Sequence, residues 1–209
     1  MEFSKAIPIG EKTNISLPSN IESLPCGLFR CGLKDAFIKL PELSCLYKTS
    51  PVEISNDWQI DIKIHMLMRG QYPCIPNWHC DNVIRDKDGA LDFKKTSLEQ
   101  SPYKMYIWLS NNPTTLFLRE KLKLNFTPSS HRDIAKFLAH DDGNPAYPIE
   151  SQQWYEFDQL TPHCGRAATE NTWRVFARIT HKSILPIRPK ISEIRRHCQV
   201  YLDANNFTW

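Results

Sequence analysis

The stretch Trp58–Met66 reads Trp-Gln-Ile-Asp-Ile-Lys-Ile-His-Met, so apolar residues alternate with polar ones along it. Successive side chains of a β-strand point to opposite faces of a sheet, and this period of two predicts a strand with one buried face. Similar patterns predict four more strands, which span Lys104–Ser110, Leu116–Leu124, Trp154–Leu160 and Thr172–Thr180. Fifteen prolines against seven glycines favour short extended elements joined by stiff turns. The sequence predicts a mainly β protein, either an antiparallel sandwich or a barrel.

We expect one domain that spans residues 1–209, with its β core at about residues 58–180. The remaining segments lie before, within and after this core. One helix is predicted between Ser130 and Ala139, because Ser130 is a suitable N-cap and Ile134, Phe137 and Leu138 form an apolar stripe. Residues 1–25 are predicted to be an arm or a first edge element. Residues 186–209 form a C-terminal extension that fits a short helix or an edge strand.

Composition excludes several classes of protein. The chain has 209 residues, of which 41% are hydrophobic and 23% charged, as expected for a globular protein with one substantial core. A net charge of +3 gives no basis for non-specific nucleic-acid binding. No apolar run approaches the ~20 residues needed to span a bilayer, and the N-terminus lacks a signal-sequence pattern. Seven scattered cysteines without a CxxC pair favour reduced thiols and a cytoplasmic location.

A motif for metal binding follows the first strand. His79 and Asp81 lie two residues apart, so in an extended segment their side chains point to the same side while Cys80 points away. His163 lies between the last two predicted strands. Two histidines and one carboxylate form the facial triad that holds non-haem Fe(II) and leaves half of its octahedron open. A rival zinc site that uses Cys80 or Cys164 is disfavoured, because neighbours in a strand diverge.

Arg174 supplies a second chemical signal. It lies inside the predicted strand Thr172–Thr180 and shares one face with Phe176 and Arg178, whereas Trp173, Val175, Ala177 and Ile179 share the other face. An arginine that faces the interior is costly unless an anion meets it. A dicarboxylate bound by both arms of the guanidinium would remove that cost.

Together these residues resemble a known family. His79-x-Asp81, a gap of about eighty residues, His163 and then Arg174 closely resemble the motif of the iron(II)- and 2-oxoglutarate-dependent dioxygenases. The resemblance implies a double-stranded β-helix, which is a cupin-like jelly roll, with one or a few flanking helices. It implies that His79, Asp81 and His163 are the catalytic Fe(II) ligands, and that Arg174 binds 2-oxoglutarate. It also implies the use of dioxygen to hydroxylate an organic substrate, with release of succinate and CO2.

Other residues are assigned by the same resemblance. Tyr106 and Thr115 are expected to contact the carboxylates of 2-oxoglutarate, although Tyr106 also fits a packed aromatic and Thr115 an ordinary strand-start residue. Arg166 and Arg178 are candidates for substrate binding. Arg166 also fits a solvated loop arginine, and Arg178 a partner of an acidic residue near the rim. Trp78 and Asn82 are candidates for the mouth of the site, with simple packing as the alternative for Trp78.

The remaining histidines are assigned structural or surface positions. His65, on the polar face of the first strand, is interpreted as structural. His131, His140 and His181 are expected at the surface, next to charged residues or at a helix start.

Two other functions remain open at this level. One is a cupin-like metal-dependent hydrolase or isomerase, and the other is a non-catalytic metal-binding barrel. The main substrate is not identified by the sequence. Lysine and arginine in residues 119–123 and 188–196 leave a nucleotide or nucleic acid open, although such runs usually form solvated faces. The segments around His79 and His163 also resemble uncharacterised phage and prophage proteins, which would act in the cytoplasm of a host.

Overall fold

The computed structural model describes residues 1–112, 114–139, 146–185 and 193–202. Its helices are α1 (Leu33–Lys39), α2 (Ser44–Lys48), α3 (Phe93–Leu98) and α4 (His131–Ala139). Its strands are β1 (Glu2–Phe3), β2 (Ile7–Ile9), β3 (Cys31–Gly32), β4 (Trp58–Leu67), β5 (Met105–Leu109), β6 (Thr115–Leu118), β7 (Leu122–Lys123), β8 (Ala146–Pro148), β9 (Trp154–Phe157), β10 (His163–Gly165) and β11 (Thr172–His181). The described helices are all too short or too polar to cross a lipid bilayer.

The strands form antiparallel sheets, which confirms a mainly β protein with a few short helices. A six-stranded sheet has the order β2-β9-β5-β11-β4-β3, and a three-stranded sheet has the order β10-β6-β8. Strands β1 and β7 form a separate pair. The longest pairing joins β11 to β4, from Thr172 opposite Leu67 to His181 opposite Trp58.

The two faces of the six-stranded sheet have different coverings. On one face, isoleucines of β4 and Val175, Ala177 and Ile179 of β11 pack with the apolar residues of α1 and α2. The expectation of one buried face is wrong, however, because Asp61 and His65 on the other face of β4 are also buried. This second face of β4 contributes to an internal cavity. Helices α1, α2 and α3 were not predicted from the sequence.

Five predicted elements are confirmed with shifted ends. The prediction of one strand over Leu116–Leu124 is wrong, since the chain turns at exposed residues 119–121 and β7 pairs with β1. Strand β9 ends at Phe157, because the Asp158 carboxylate accepts hydrogen bonds from Leu160 N and Thr161 Oγ1 in the following turn. Helix α4 begins at His131, and the backbone N–H groups of Ser129 and Ser130 donate to the Asp133 carboxylate just before it.

The two ends of the chain lie along sheet edges and loops. Residues 1–25 contain β1 and β2, and β2 is an edge strand of the six-stranded sheet. The C-terminal extension falls partly outside the described residues, which include only 193–202 of it. That segment forms isolated bridges, one between Ile194 and Leu28 and one between Tyr201 and Tyr72.

Candidate metal centre and anion pocket

An internal cavity of about 190 Å³ lies between the six-stranded sheet and the segments that face it. The six-stranded sheet contributes Asp61, Lys63, Ile107, Phe157, Arg174, Phe176 and Arg178 to its wall. Facing them are Cys74, Ile75, His79, Asp81, Thr115 and His163, with Arg195 and Tyr201 from the C-terminal segment. The structure therefore brings the four principal predicted residues, His79, Asp81, His163 and Arg174, to one cavity.

Backbone pairing places the two histidines side by side. His79 N donates to His163 O over 3.0 Å, and His163 N donates to His79 O over 2.9 Å. Two residues further on, Gly165 N donates to Ile75 O. A β-carbon at Gly165 would lie 2.6 Å from the Cys74 carbonyl oxygen, so only glycine permits this close approach. The segment around His79 thus extends the small sheet beside β10.

The three predicted ligands form one compact group. One potential ligand atom from each of His79, Asp81 and His163 lies within 4.8 Å of the others. Asp81 Oδ2 is 3.6 Å from His163 Nε2. Nδ1 of His79 is 2.9 Å from Asn77 O, and Nδ1 of His163 is 3.0 Å from Thr161 O. A carbonyl oxygen only accepts, so both Nδ1 atoms carry the proton and leave Nε2 for a metal. The group fits a divalent metal ion.

The electrostatics of the group also suit a metal. Burial and the neighbouring His163 lower the pKa of His79 to about 3. Burial opposes the charged form of Asp81, but Arg178 and the two imidazoles hold the pKa of this carboxyl below its usual value. At neutral pH the triad therefore contains a neutral His79 and a carboxylate, which are the protonation states that bind metals.

The cysteines next to the ligands lie outside this group. Cys80 is buried and packs with Phe93, Leu118 and Leu160 in a different apolar cluster. Among the described residues, the one group of three or more potential metal ligands consists of the two histidines and Asp81. This agrees with the prediction that Cys80 points away, and it gives no support to a thiolate zinc site.

Arg174 is a buried cation in the same cavity. Arg174 is 1% exposed, and its Nε and Nη2 atoms have no hydrogen-bond partner in the described ranges of the chain. Burial lowers the pKa of its guanidinium to about 10, so it remains charged at neutral pH. Within the described part of the chain it forms no ion pair, and its guanidinium lies 5.7 Å from the centre of the Phe176 ring. Such a group is stabilised when an anion binds it.

Lys63 adds a second positive charge that sequence reasoning missed. Its Nζ lies 5.6 Å from the centre of the same Phe176 ring, and the residue lines the cavity. Burial lowers the pKa of Lys63. The alternation along β4 places Lys63 on the face of Asp61 and His65, a signal that was present in the sequence but was interpreted as solvent-facing.

Of the two residues predicted to contact the carboxylates of 2-oxoglutarate, Thr115 lines the cavity and Tyr106 does not. Thr115 is 2% exposed and lines the cavity, beside Cys74. Tyr106 lies on the other face of β5, where its ring centre is 5.9 Å from that of Trp58. The expectation that Tyr106 contacts an anion in this cavity is therefore corrected, because alternation along β5 turns Ile107 inward and Tyr106 outward.

Arg178 is engaged by acidic residues rather than left open for a substrate. Its Nη2 donates to Asp61 Oδ2 over 2.9 Å, and its Nη1 donates to Asp81 Oδ2. Asp61 also accepts from Arg195 Nη2 over 3.1 Å. Of the two roles that the sequence left open for Arg178, its contacts fit the partner of acidic residues rather than a substrate-binding group. Asp61 was not identified from the sequence, because its contact with Arg178 depends on the register of β4 and β11.

The other candidate substrate residues lie outside the cavity. Trp78 packs against the apolar cluster around Phe93, and Arg166 is exposed on a loop. Asn82 has a φ of 57° directly after Asp81, a left-handed conformation that asparagine tolerates. It lines a larger, more open cleft of about 720 Å³ that also includes Arg30, Arg85 and His131.

His131 does not lie at the surface as predicted. It is 6% exposed, and its ring centre is 6.1 Å from that of His79. His131 precedes Ile134 by three residues and Leu138 by seven, so it belongs to the apolar stripe of α4, and this spacing could have revealed its burial. His181 is half-buried and stacks on Tyr103 with ring centres 3.6 Å apart. His140 lies outside the described residues.

His65 is buried, with neither ring nitrogen hydrogen-bonded. Burial, followed by the charges of Arg174 and Lys63, lowers its pKa to about 4. Between pH 6.5 and 4 the unfolded chain binds a proton at His65 that the folded chain does not, so acid destabilises the fold. We expect His65→Leu to reduce this loss by up to about 1.4 kcal/mol per pH unit. Urea unfolding at pH 7, 6 and 5 measures it, and an identical pH dependence in both proteins would contradict this assignment.

The chain matches no protein-family model and no curated protein. The site is therefore interpreted from its own residues.

Proposed function

We propose that this protein is an Fe(II)- and 2-oxoglutarate-dependent dioxygenase, built on a jelly-roll core, that hydroxylates an organic substrate. One observation supports this proposal most directly. Arg174 is a buried cation that forms no ion pair with any described residue, and it lines the same cavity as the His79, Asp81 and His163 group. A hydrolase or isomerase that uses the same metal ligands has no need for such an anion-binding group.

The size of the cavity supports a small co-substrate. At about 30 Å³ per water molecule, 190 Å³ corresponds to roughly six waters. This is below the range of about 300–1,000 Å³ that is usual for sites of larger organic ligands. A short dicarboxylate could be bound at one end by Arg174 and face the metal group at the other.

The residues that line the cavity would have separate roles in the proposed reaction. His79, Asp81 and His163 would hold the metal, and Arg174 would bind and orient the distal carboxylate, with Thr115 beside it. Apolar side chains of Ile107 and Phe157 restrict water in the cavity. When bound, Fe(II) with 2-oxoglutarate supplies the activation of dioxygen, the oxidation of a substrate C–H bond, and the release of succinate and CO2.

The open cleft is the natural place for the main substrate. Its volume of about 720 Å³ falls within the range for organic ligands, and it reaches Asn82 and His131 beside the metal group. Its lining combines charged and amide side chains with Val83, Ile184 and Leu185. Arg30 and Arg85 would favour an anionic group on the substrate, and a nucleotide is one such class.

The proposal is tested by oxygen-dependent formation of succinate from 2-oxoglutarate in the presence of Fe(II). We expect turnover from the wild-type chain and at least about 100-fold less from His79→Ala and from Asp81→Ala, because each variant lacks one of three metal ligands. His181→Ala, which removes a half-buried histidine that stacks on Tyr103 and does not line the cavity, is the matched control. Equal turnover in all four proteins, or none in any, would reject the dioxygenase assignment.

A further inference from the structure

The two terminal nitrogen atoms of the Arg178 guanidinium are hydrogen-bonded to two different acidic side chains. One arm of its guanidinium binds Asp81 Oδ2, and the other binds Asp61 Oδ2 at 2.9 Å. Asp61 is 3% exposed, and its second oxygen accepts from Arg195 Nη2 at 3.1 Å and from the backbone N–H of Arg30 at 3.2 Å. The Arg178 guanidinium therefore cannot move freely with the Asp81 side chain, because its Nη2 atom is hydrogen-bonded to the buried Asp61 on β4.

This arrangement restricts what the Asp81 carboxylate can do. Symmetric chelation of a metal needs both carboxylate oxygens to turn toward it. Asp81 Oδ2, the oxygen that lies 3.6 Å from His163 Nε2, accepts a charge-assisted hydrogen bond from Arg178 Nη1, which is among the stronger kinds of hydrogen bond and holds this oxygen in place. Rotation into a chelating position would weaken that bond and leave the partly buried Arg178 with Asp61 alone.

We infer that Arg178 is a positioning residue that limits Asp81 to one-oxygen coordination of the metal. The inference rests on the proposed function for the presence of the metal. With two imidazoles and one carboxylate oxygen bound, an octahedral ion keeps about three positions for other ligands. Chelation by Asp81 would leave only about two, too few for a two-point co-substrate and dioxygen together. Arg178 thus sets the number of open positions.

Arg174 provides a matched comparison. It lies on the same face of β11, four residues earlier, and is a fully buried arginine that also lines the cavity. The thiol groups of Cys74 and Cys198 lie near the Arg174 guanidinium. Among the described contacts, Arg174 makes no hydrogen bond to Asp81. Loss of Arg174 should therefore remove a buried cation without releasing the metal ligand.

The experiment counts exchangeable water on Mn(II) bound to the full-length chain without co-substrate, by water relaxation and by the Mn(II) resonance in ¹⁷O-enriched water. We expect about three waters for the wild type and for Arg174→Met, and about two for Arg178→Met. Asp61→Asn keeps Arg178 but loosens its anchor, so a value below that of the wild type is expected there. It serves as the second variant if Arg178→Met does not fold.

The outcomes separate the two proposals. If the wild type binds Mn(II) with about three waters and neither Arg178→Met nor Asp61→Asn lowers the number, the positioning role is wrong while the metal site stands. If Arg174→Met lowers the number as much as Arg178→Met does, the effect belongs to loss of any cation that lines the cavity, and the inference also fails. If the wild type does not bind Mn(II) at all, the metal site itself is refuted.

Discussion

Replacement of Arg174 by methionine should weaken the binding of 2-oxoglutarate by about 100-fold or more, and at the same time make the ligand-free protein more stable. The two effects have the same cause. The guanidinium is buried with two nitrogen atoms unpaired, so it destabilises the empty protein and becomes favourable only when an anion meets it. Methionine fills a similar volume without a charge, and a gain of at least about 1 kcal/mol in the free energy of unfolding is expected.

Two measurements check this prediction. Calorimetric titration of the Mn(II)-loaded chain with 2-oxoglutarate under anaerobic conditions measures affinity, and urea unfolding of the metal-free chain measures stability. Arg132→Met is the control, because Arg132 is exposed on α4 and does not line the cavity, so its loss should change neither quantity appreciably. An Arg174→Met protein that is less stable than the wild type, or that binds 2-oxoglutarate equally well, would show that Arg174 is a structural residue.

Loss of a single imidazole from the triad should abolish stabilisation of the fold by metal. At a free Mn(II) concentration 100 times the dissociation constant, the wild type should gain about 2.7 kcal/mol, which corresponds to a rise of about 5–10 °C in Tm. His163→Ala leaves two ligands and should lose most of this rise, because affinity falls by orders of magnitude. His79→Ala should behave alike, since the two rings are equivalent neighbours, with centres 4.3 Å apart.

Thermal unfolding with and without Mn(II) measures this effect. His131→Ala is a demanding control, because His131 is buried next to His79 but does not belong to the ligand group. It should have a lower Tm without metal and yet keep its rise with metal. A similar rise with metal in His163→Ala and in the wild type would contradict the triad.

The sequence was most informative where a local pattern has a direct structural meaning. Strict alternation predicted β4 and β11, since both strands are long enough for the period of two to be clear. The same alternation correctly placed Arg174 and Arg178 on one face, and His79 and Asp81 on one side of an extended segment. The apolar stripe and the N-cap candidate Ser130 predicted α4.

The errors came from contacts between distant segments. Tyr106 was assigned to the anion pocket because β5 follows the metal motif, but the strand's inward face is set by its packing between two layers. For Arg178 the sequence could not choose between a substrate and an acidic partner, because Asp61, the partner, is 117 residues away. Helices α1 and α2 are short, and much of their stability comes from packing on the sheet rather than from their own residues.

The amino-acid order by itself determined the mainly antiparallel class of the fold, the candidate metal ligands and the buried arginine, because each depends on neighbours within a few residues or on a fixed spacing. Only the tertiary structure decided which side chains meet: that His79 pairs with His163 across a backbone bridge, that Arg174 has no acidic partner among the described residues, and that Arg178 joins Asp61 to Asp81. Strand register and the packing of sheet on sheet set these distances, and both depend on the whole chain at once.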